Sequence, residues 1–304
     1  MASFRSIVSA VDFSDQSRYA LRWAAALAAL HNSRLTILTA VDPLLAHAAR
    51  TRYELDLVSQ TEQSLREFVS SALPSTWSWI PSYEIKVLVG DAADTIRLGA
   101  RREHADLIVL GTQGLGGVRK LLLGSTTDRL LRSTETAILA VPLAEQGVPD
   151  WESQGQPPMA AKTILAATDF SAPASHAVAV AADLARDHRA ALVVAHVVSP
   201  VTAPPRWRSY VQTVQEEGIP KARTRLDHVA ASIPADVTPE LVVCIGRPAD
   251  AIADLARERA AGLIVLGLVG ENCNPSARPG AIAYRVLCLS HTPVLVVPPQ
   301  PNQS

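Results

Sequence analysis

Short, continuously apolar runs alternate along this chain with stretches whose apolar residues recur every three or four positions. That pattern predicts strand and helix in turn. Ile7 to Val11 reads as a first strand, and Ser14 as the N-cap of a helix running through Leu30. Asn32 is the stop signal before a second strand, Arg34 to Val41. A longer helix follows, with Leu65, Phe68, Val69 and Ala72 on one face. Tyr83 to Val89 reads as a strand whose Glu84 and Lys86 suit an exposed sheet edge. A helix from Ala92 to Glu103, a strand from Leu107 to Leu110, a glycine-rich loop, a helix from Thr126 to Arg132 and a strand from Ile138 to Val141 complete the set. Strands apolar throughout are buried on both faces of a parallel sheet. The expected class is therefore α/β, with a doubly wound five-stranded parallel sheet. Ligands of such sheets sit beyond the carboxyl ends of the strands, where strand order reverses.

The whole series then repeats. Ser9-Ala10-Val11-Asp12-Phe13-Ser14 returns as Ala166-Ala167-Thr168-Asp169-Phe170-Ser171, 157 residues later. Ala105-Asp106-Leu107-Ile108-Val109-Leu110-Gly111 returns as Ala261-Gly262-Leu263-Ile264-Val265-Leu266-Gly267, 156 residues later. Leu226, Val229, Ala230 and Ile233 repeat the spacing of the long helix at an offset of 161, so the loop before them differs by four residues. One slowly drifting register across both halves means two copies of one domain. The expected organisation is a first domain over 1–143, a linker over 144–160 rich in Gly and Pro, a second domain over 161–299 and a tail over 300–304.

Composition narrows the function. Of 304 residues, 28 are Lys or Arg and 29 are Asp or Glu, a net charge of −1 that gives no broad attraction to nucleic acid or an anionic membrane. Aromatic residues are 5%, so Ala, Val, Leu and Ile must build the cores. Cys244, Cys273 and Cys288 form no CxxC pair and read as reduced thiols, Cys244 and Cys288 as small core hydrophobes. No apolar run reaches the roughly 20 residues of a membrane span and no signal peptide is visible, so a cytoplasmic, soluble chain is expected. The eight histidines have no metal-ligand spacing; His104, His176, His188 and His228 read as surface helix positions and His196 as a satisfied core residue.

Candidate chemistry gathers after the fourth strand. Gly111, Gly114 and the pair Gly124-Ser125 form a G-x2-G-x9-G-S loop that runs into a helix. Glycines let the backbone approach a phosphate, and a helix start offers unpaired N–H groups to an anion. Ser125 and Thr126 add hydroxyl donors, while Arg119 and Lys120 read first as solvated charges.

Here the chain resembles the universal stress protein family, in its tandem two-domain form. The resemblance spans nearly all of both halves and rests on the V-D-F-S segment, the A-D-L-I-V-L-G strand, the glycine loop and the closing V-P. It implies ATP, with or without Mg, held in the first domain by Asp12, Val41, Gly111, Gly114, Gly124, Ser125 and Thr126. It also implies a stress-response role with slow or no hydrolysis, and pairing of the two halves through their last strands, with a homodimer left open. A purely structural role for Asp12, as a turn or cap residue, stands beside the ligand role.

The second copy keeps Asp169, Val198, Gly267, Gly270 and Gly280, but Ala281 replaces the serine. A weaker site, or none, is expected there. No catalytic residue is assigned: there is no GxGxxG after the first strand and no GxxxxGK[ST]. The competing class is an interaction or dimerisation module of the same fold that holds no nucleotide.

Overall fold

The computed structural model describes residues 4–112, 123–142, 162–200, 208–270 and 280–300, and over 208–217 the backbone only. The first unit opens with β1, Ser6–Ala10, every residue of it buried. At its exit Ser14 caps α1, Asp15–His31, by accepting the Ser17 N–H, and Asn32 ends that helix in the left-handed region at φ 51°. Then come β2 (Arg34–Val41), α2 (Pro43–Tyr53), α3 (Leu57–Ala72), β3 (Tyr83–Val89), α4 (Ala92–Arg102), β4 (Leu107–Gly111), α5 (Ser125–Ser133) and β5 (Ala137–Val141).

The strands of this unit pair in parallel, in the order β3-β2-β1-β4-β5. Ile7 lies in register with Leu35 on one side and Leu107 on the other. Ile7, Leu35, Leu107 and Ile108 are fully excluded from solvent, each such side chain contributing about 1.5–3 kcal/mol by burial. Helices α1 and α3 pack together, as do α4 and α5. The order runs outward from β1 to β2 and β3, then restarts on the other side with β4 and β5. The reversal falls between β1 and β4.

The second unit repeats this with β6 (Thr163–Ala167), α6 (Ala172–His188), β7 (Ala191–Val198), α7 (Arg208–Ala231), β8 (Glu240–Ile245), α8 (Pro248–Glu258), β9 (Leu263–Gly267), α9 (Ala281–Leu289) and β10 (Val294–Val297). Its pairings give β8-β7-β6-β9-β10, again parallel, with the reversal between β6 and β9.

Several sequence expectations need correction. The stretch before the longer helix is itself helical: α2 precedes α3, whose Leu65, Phe68, Val69 and Ala72 are the expected buried face. Glu54 turns left-handed at φ 53° and closes α2, and Asp56 caps α3 by accepting the Val58 and Ser59 N–H groups. Helix α2 buries none of its residues, which is why its pattern carried no periodic signal. In the second copy Ile233 lies just beyond α7, and Val229 and Ala230 are half-buried; Ala222 and Leu226 form the buried face. Strand β3 does lie at the sheet edge, where the Lys86 ammonium reaches Glu103 at 2.6 Å and Glu84 at 3.3 Å, which raises its pKa. His104 follows α4 in the left-handed region instead of sitting on it. Cys244 and Cys288 are half-buried, not core, and burial pushes the Cys244 thiol up. Cys273 lies outside the described residues.

Candidate functional site

The reversal between β1 and β4 leaves a crevice because the chains leaving the two strands turn to opposite sides of the sheet. On the β1 side stands Asp12. Its Oδ1 accepts the Ser14 N–H at 3.1 Å and the Ser14 hydroxyl at 2.5 Å, while Ser14 Oγ accepts the Ser17 N–H. Asp12 thus organises the turn into α1 through one oxygen, which is the structural role weighed above. The residue between them, Phe13, has φ 64°, and its counterpart Phe170 has φ 67°. A bulky residue in the left-handed region is strained by roughly 1–3 kcal/mol, and the strain recurs at the same place in both units. Phe13 is steadied by an edge contact to Phe68, over which the Arg18 guanidinium lies at 4.4 Å.

The end of β2 supplies Val41, buried, whose carbonyl accepts the Gly90 N–H at 2.9 Å. One step in, Thr39 Oγ1 donates to the Val11 carbonyl at 2.8 Å. In the second unit that donor is His196, whose Nδ1 meets the Thr168 carbonyl at 2.8 Å. A carbonyl only accepts, so Nδ1 carries the hydrogen and Nε2 of the neutral ring is an acceptor.

On the β4 side, Gly111 ends the strand and its carbonyl accepts the Thr127 hydroxyl at 3.1 Å. The glycine loop leaves at Thr112 and returns at Gly124, stapled by a bond from the Gly124 N–H to the Thr112 carbonyl at 2.8 Å. Gly124 is the N-cap of α5 and provides no side-chain acceptor. The first N–H groups of α5, with the partial positive charge of a helix start, therefore open beside the crevice. Ser125 is exposed there and Thr126 half-buried. Asp12, Gly111, Gly124, Ser125 and Thr126 are thus set at the carboxyl ends of β1 and β4 and at the start of α5, with Val41 one strand away. Gly114, Arg119 and Lys120 lie outside the described residues.

The second unit shows the equivalent crevice as a cavity of about 510 Å³. Asp169, Gly267, Gly270 and Gly280 line it; Val198 does not, its carbonyl accepting the Gly246 N–H as Val41 accepts that of Gly90. The staple recurs from the Gly280 N–H to the Leu268 carbonyl at 2.8 Å. Gly267 and Gly270 serve by their small bulk, not by backbone twist, since neither has a left-handed φ. A Cβ on Gly267 would press at 3.2 Å on the backbone of Pro173 and Ala174, and one on Gly270 would meet Asp169 Oδ2 at 2.5 Å. A further cavity of about 710 Å³ lies between α2 and α3 at the end of β3, lined by Ala46, His47, Arg50, Asp56 and Val89 among others, and by none of the expected site residues.

The model of the universal stress protein family matches this chain twice, over residues 3–142 and 160–298. The chain belongs to the universal stress protein family. A universal stress protein of Mycobacterium tuberculosis is 27% identical over 315 residues, covering 95% of this chain and 94% of its own. One from Thermus aquaticus is 32% identical over 138 residues, 45% of this chain and 98% of its own length. The tandem arrangement is thus shared with whole-length relatives. Among solved structures, a protein of unknown function from Pseudomonas aeruginosa has 21% identity and a TM-score of 0.64, covering 98% of this chain and 93% of its own. A universal stress protein from Archaeoglobus fulgidus has 18% identity and a TM-score of 0.62, covering 98% and 99%. These two establish the shared fold. Among the described residues no helix is long and apolar enough to cross a membrane.

Sequence reasoning missed Thr127, 3% exposed and bonded to Gly111. The signal was present in the repeat. Ser125, Thr126 and Thr127 of the first universal stress domain become Ala281, Ile282 and Ala283 in the second, a loss of three hydroxyls in a row.

Proposed function

We propose that the first domain binds ATP in the crevice between β1 and β4, and that the nucleotide-loaded chain acts as a sensor or regulator in the stress response. One observation carries the reading: an α5 N-terminus without a side-chain cap, fixed to β4 by the Gly124–Thr112 bond and flanked by the Ser125 and Thr126 hydroxyls. N–H groups held this way suit phosphate oxygens, and bonds to a charged acceptor contribute about 1.5–3 kcal/mol each. The loop between Gly111 and Gly124 adds Arg119 and Lys120 and no acid, which offsets part of a triphosphate's charge, and Mg accompanies the nucleotide where it is available. Asp12 and Val41 face the adenosine end in this reading. No described group is arranged to activate water, so binding with slow or no turnover is the expected behaviour.

The test is the small molecule released from purified protein, followed by calorimetric titration of ATP into the wild type and Ser125→Ala. About one adenine nucleotide per chain, with affinity lowered roughly tenfold by the substitution, supports the reading. No nucleotide and no change in thermal stability on adding ATP would instead favour the interaction module. That second reading has its own observation: α2 buries nothing and presents Leu44, Leu45 and Tyr53, each more than 60% exposed.

A further inference from the structure

Helix α2 is well formed although it buries none of its residues. Its ends account for that. Asp42 accepts the Leu44 and Leu45 N–H groups at the start, and at the finish the Leu55 N–H reaches back to the Ala49 carbonyl. Between α2 and α3, where a close-packed unit would place side chains, lies the cavity of about 710 Å³ at the end of β3. A cleft of that volume falls within the range of small-molecule sites.

Two kinds of surface line it. One is apolar, from Leu55, Leu57, Val58 and Val89. Val89 closes β3 and is nevertheless 51% exposed, and Leu55 is 40% exposed. Both shed water only when something sits against them. The other surface is charged: Arg50 and His47 come from α2, Glu54 from its end and Asp56 from the start of α3. Asp56 is already committed. The Ser59 hydroxyl and the Ser59 and Val58 N–H groups bond to its oxygens, and these bonds, with the charge of Arg50 nearby, hold its pKa below the ordinary value. Arg50 and Glu54 are not committed to each other. A guanidinium and a carboxylate four residues apart pair readily along a helix, but Glu54 has turned out of α2 at φ 53°. Among the described residues neither side chain makes an ion pair or a hydrogen bond. The two face one cleft as separate charges of opposite sign.

We propose that this cleft binds a short zwitterionic peptide, a di- or tripeptide with free ends and apolar side chains. A ligand that answers both charges carries one of each sign. A ligand that covers Leu55 and Val89 is apolar between them, and the volume exceeds what a single amino acid fills. The peptide carboxylate meets the Arg50 guanidinium, its ammonium meets Glu54, and its side chains lie on Leu55, Val58 and Val89. Bound there, it gives α2 the buried face that the chain itself does not supply. The inference goes beyond nucleotide binding: none of the residues proposed for ATP lines this cleft, and it stands whether or not that reading holds.

Leucyl-leucine is the probe, with two relatives that each lack one charge, N-acetyl-leucyl-leucine and leucyl-leucinamide. Calorimetric titration of the full chain is expected to show about one leucyl-leucine per chain, with each relative bound about fivefold more weakly. Arg50→Gln is expected to weaken leucyl-leucine about fivefold and to leave leucyl-leucinamide unchanged, because that peptide has no carboxylate to lose. Glu54→Gln is expected to do the same against the acetylated peptide. Both residues are exposed, so both variants should melt with the wild type. Hydrogen exchange in α2 is expected to slow when leucyl-leucine is added. No binding at millimolar peptide would overturn the proposal, as would equal affinity for all three peptides or variant losses that do not follow the missing charge. Failure of ATP binding in the first domain would appear separately, as no heat when ATP is titrated into the wild type.

Discussion

Gly124→Asp tests the nucleotide reading because it is expected to move stability and affinity in opposite directions. Gly124 has φ −58° and ψ 146°, which any L-residue adopts without strain. At the equivalent Gly280 an added Cβ would find its nearest atom at 3.5 Å, an ordinary contact. The new carboxylate would stand at the N-cap of α5 and accept an N–H of its first turn, as Ser14 does for α1. Replacing a glycine cap by aspartate gains a few tenths of a kcal/mol, so the ligand-free protein should melt at the same temperature or about 1 °C higher. The same carboxylate occupies the place proposed for a phosphate. It removes one charge-assisted bond, about 1.5–3 kcal/mol, and sets like charges together. A loss of about 2–3 kcal/mol lowers ATP affinity roughly 30- to 150-fold. Calorimetry for ATP and a thermal melt without ligand read the two effects. Undiminished ATP affinity in a variant that melts normally would show that no phosphate sits at α5.

Four further outcomes follow from the same coordinates. Thr127→Val keeps the buried volume but deprives the Gly111 carbonyl of its donor; urea unfolding should show a loss of about 1–2 kcal/mol, with weaker ATP binding because β4 and α5 lose a tie. Leu130→Ala, at a fully buried position of α5, should cost about 2–5 kcal/mol in the same assay. Arg22→Met removes a buried guanidinium that donates to the Ala72 carbonyl at 2.8 Å and whose pKa burial lowers; the orphaned carbonyl predicts a loss of about 1–3 kcal/mol. Burial also holds the His176 imidazole below its ordinary value. The unfolded chain then takes up that proton first, so its stabilising effect is whole above about pH 6.5 and is lost as pH falls through the depressed folded value. His176→Gln should flatten the decline in stability between pH 7 and 5, and an unchanged slope would refute the assignment.

Much of this protein is legible in its amino-acid sequence. The runs at Ile7, Leu35 and Leu107 are apolar but for the small residues Ser9, Thr36 and Thr39, with no two-residue alternation, as a strand covered on both faces requires; helix alternation then leaves a parallel sheet. Ser14 and Asn32 mark the ends of α1 because capping is local chemistry, settled within a few residues. The repeat of D-F-S and of the G-x2-G-x9-G spacing located the crevice, since chain order fixes which loops follow β1 and β4. Long-range geometry was not legible. The break at Glu54 depends on a left-handed residue that no rule demands of glutamate, and α2 has no buried face to betray it. Thr127 looked like any polar residue of a helix until β4 came within reach of its hydroxyl. His196 read as core because its strand is apolar. Only the folded sheet sets it at the lip of a cavity, bonded to the strand beside it. Sequence determines what each segment can bury and how it must end, because those are local free energies. Which polar groups meet across the crevice is decided by strands 28 or more residues apart in the chain, and only tertiary structure brings them together.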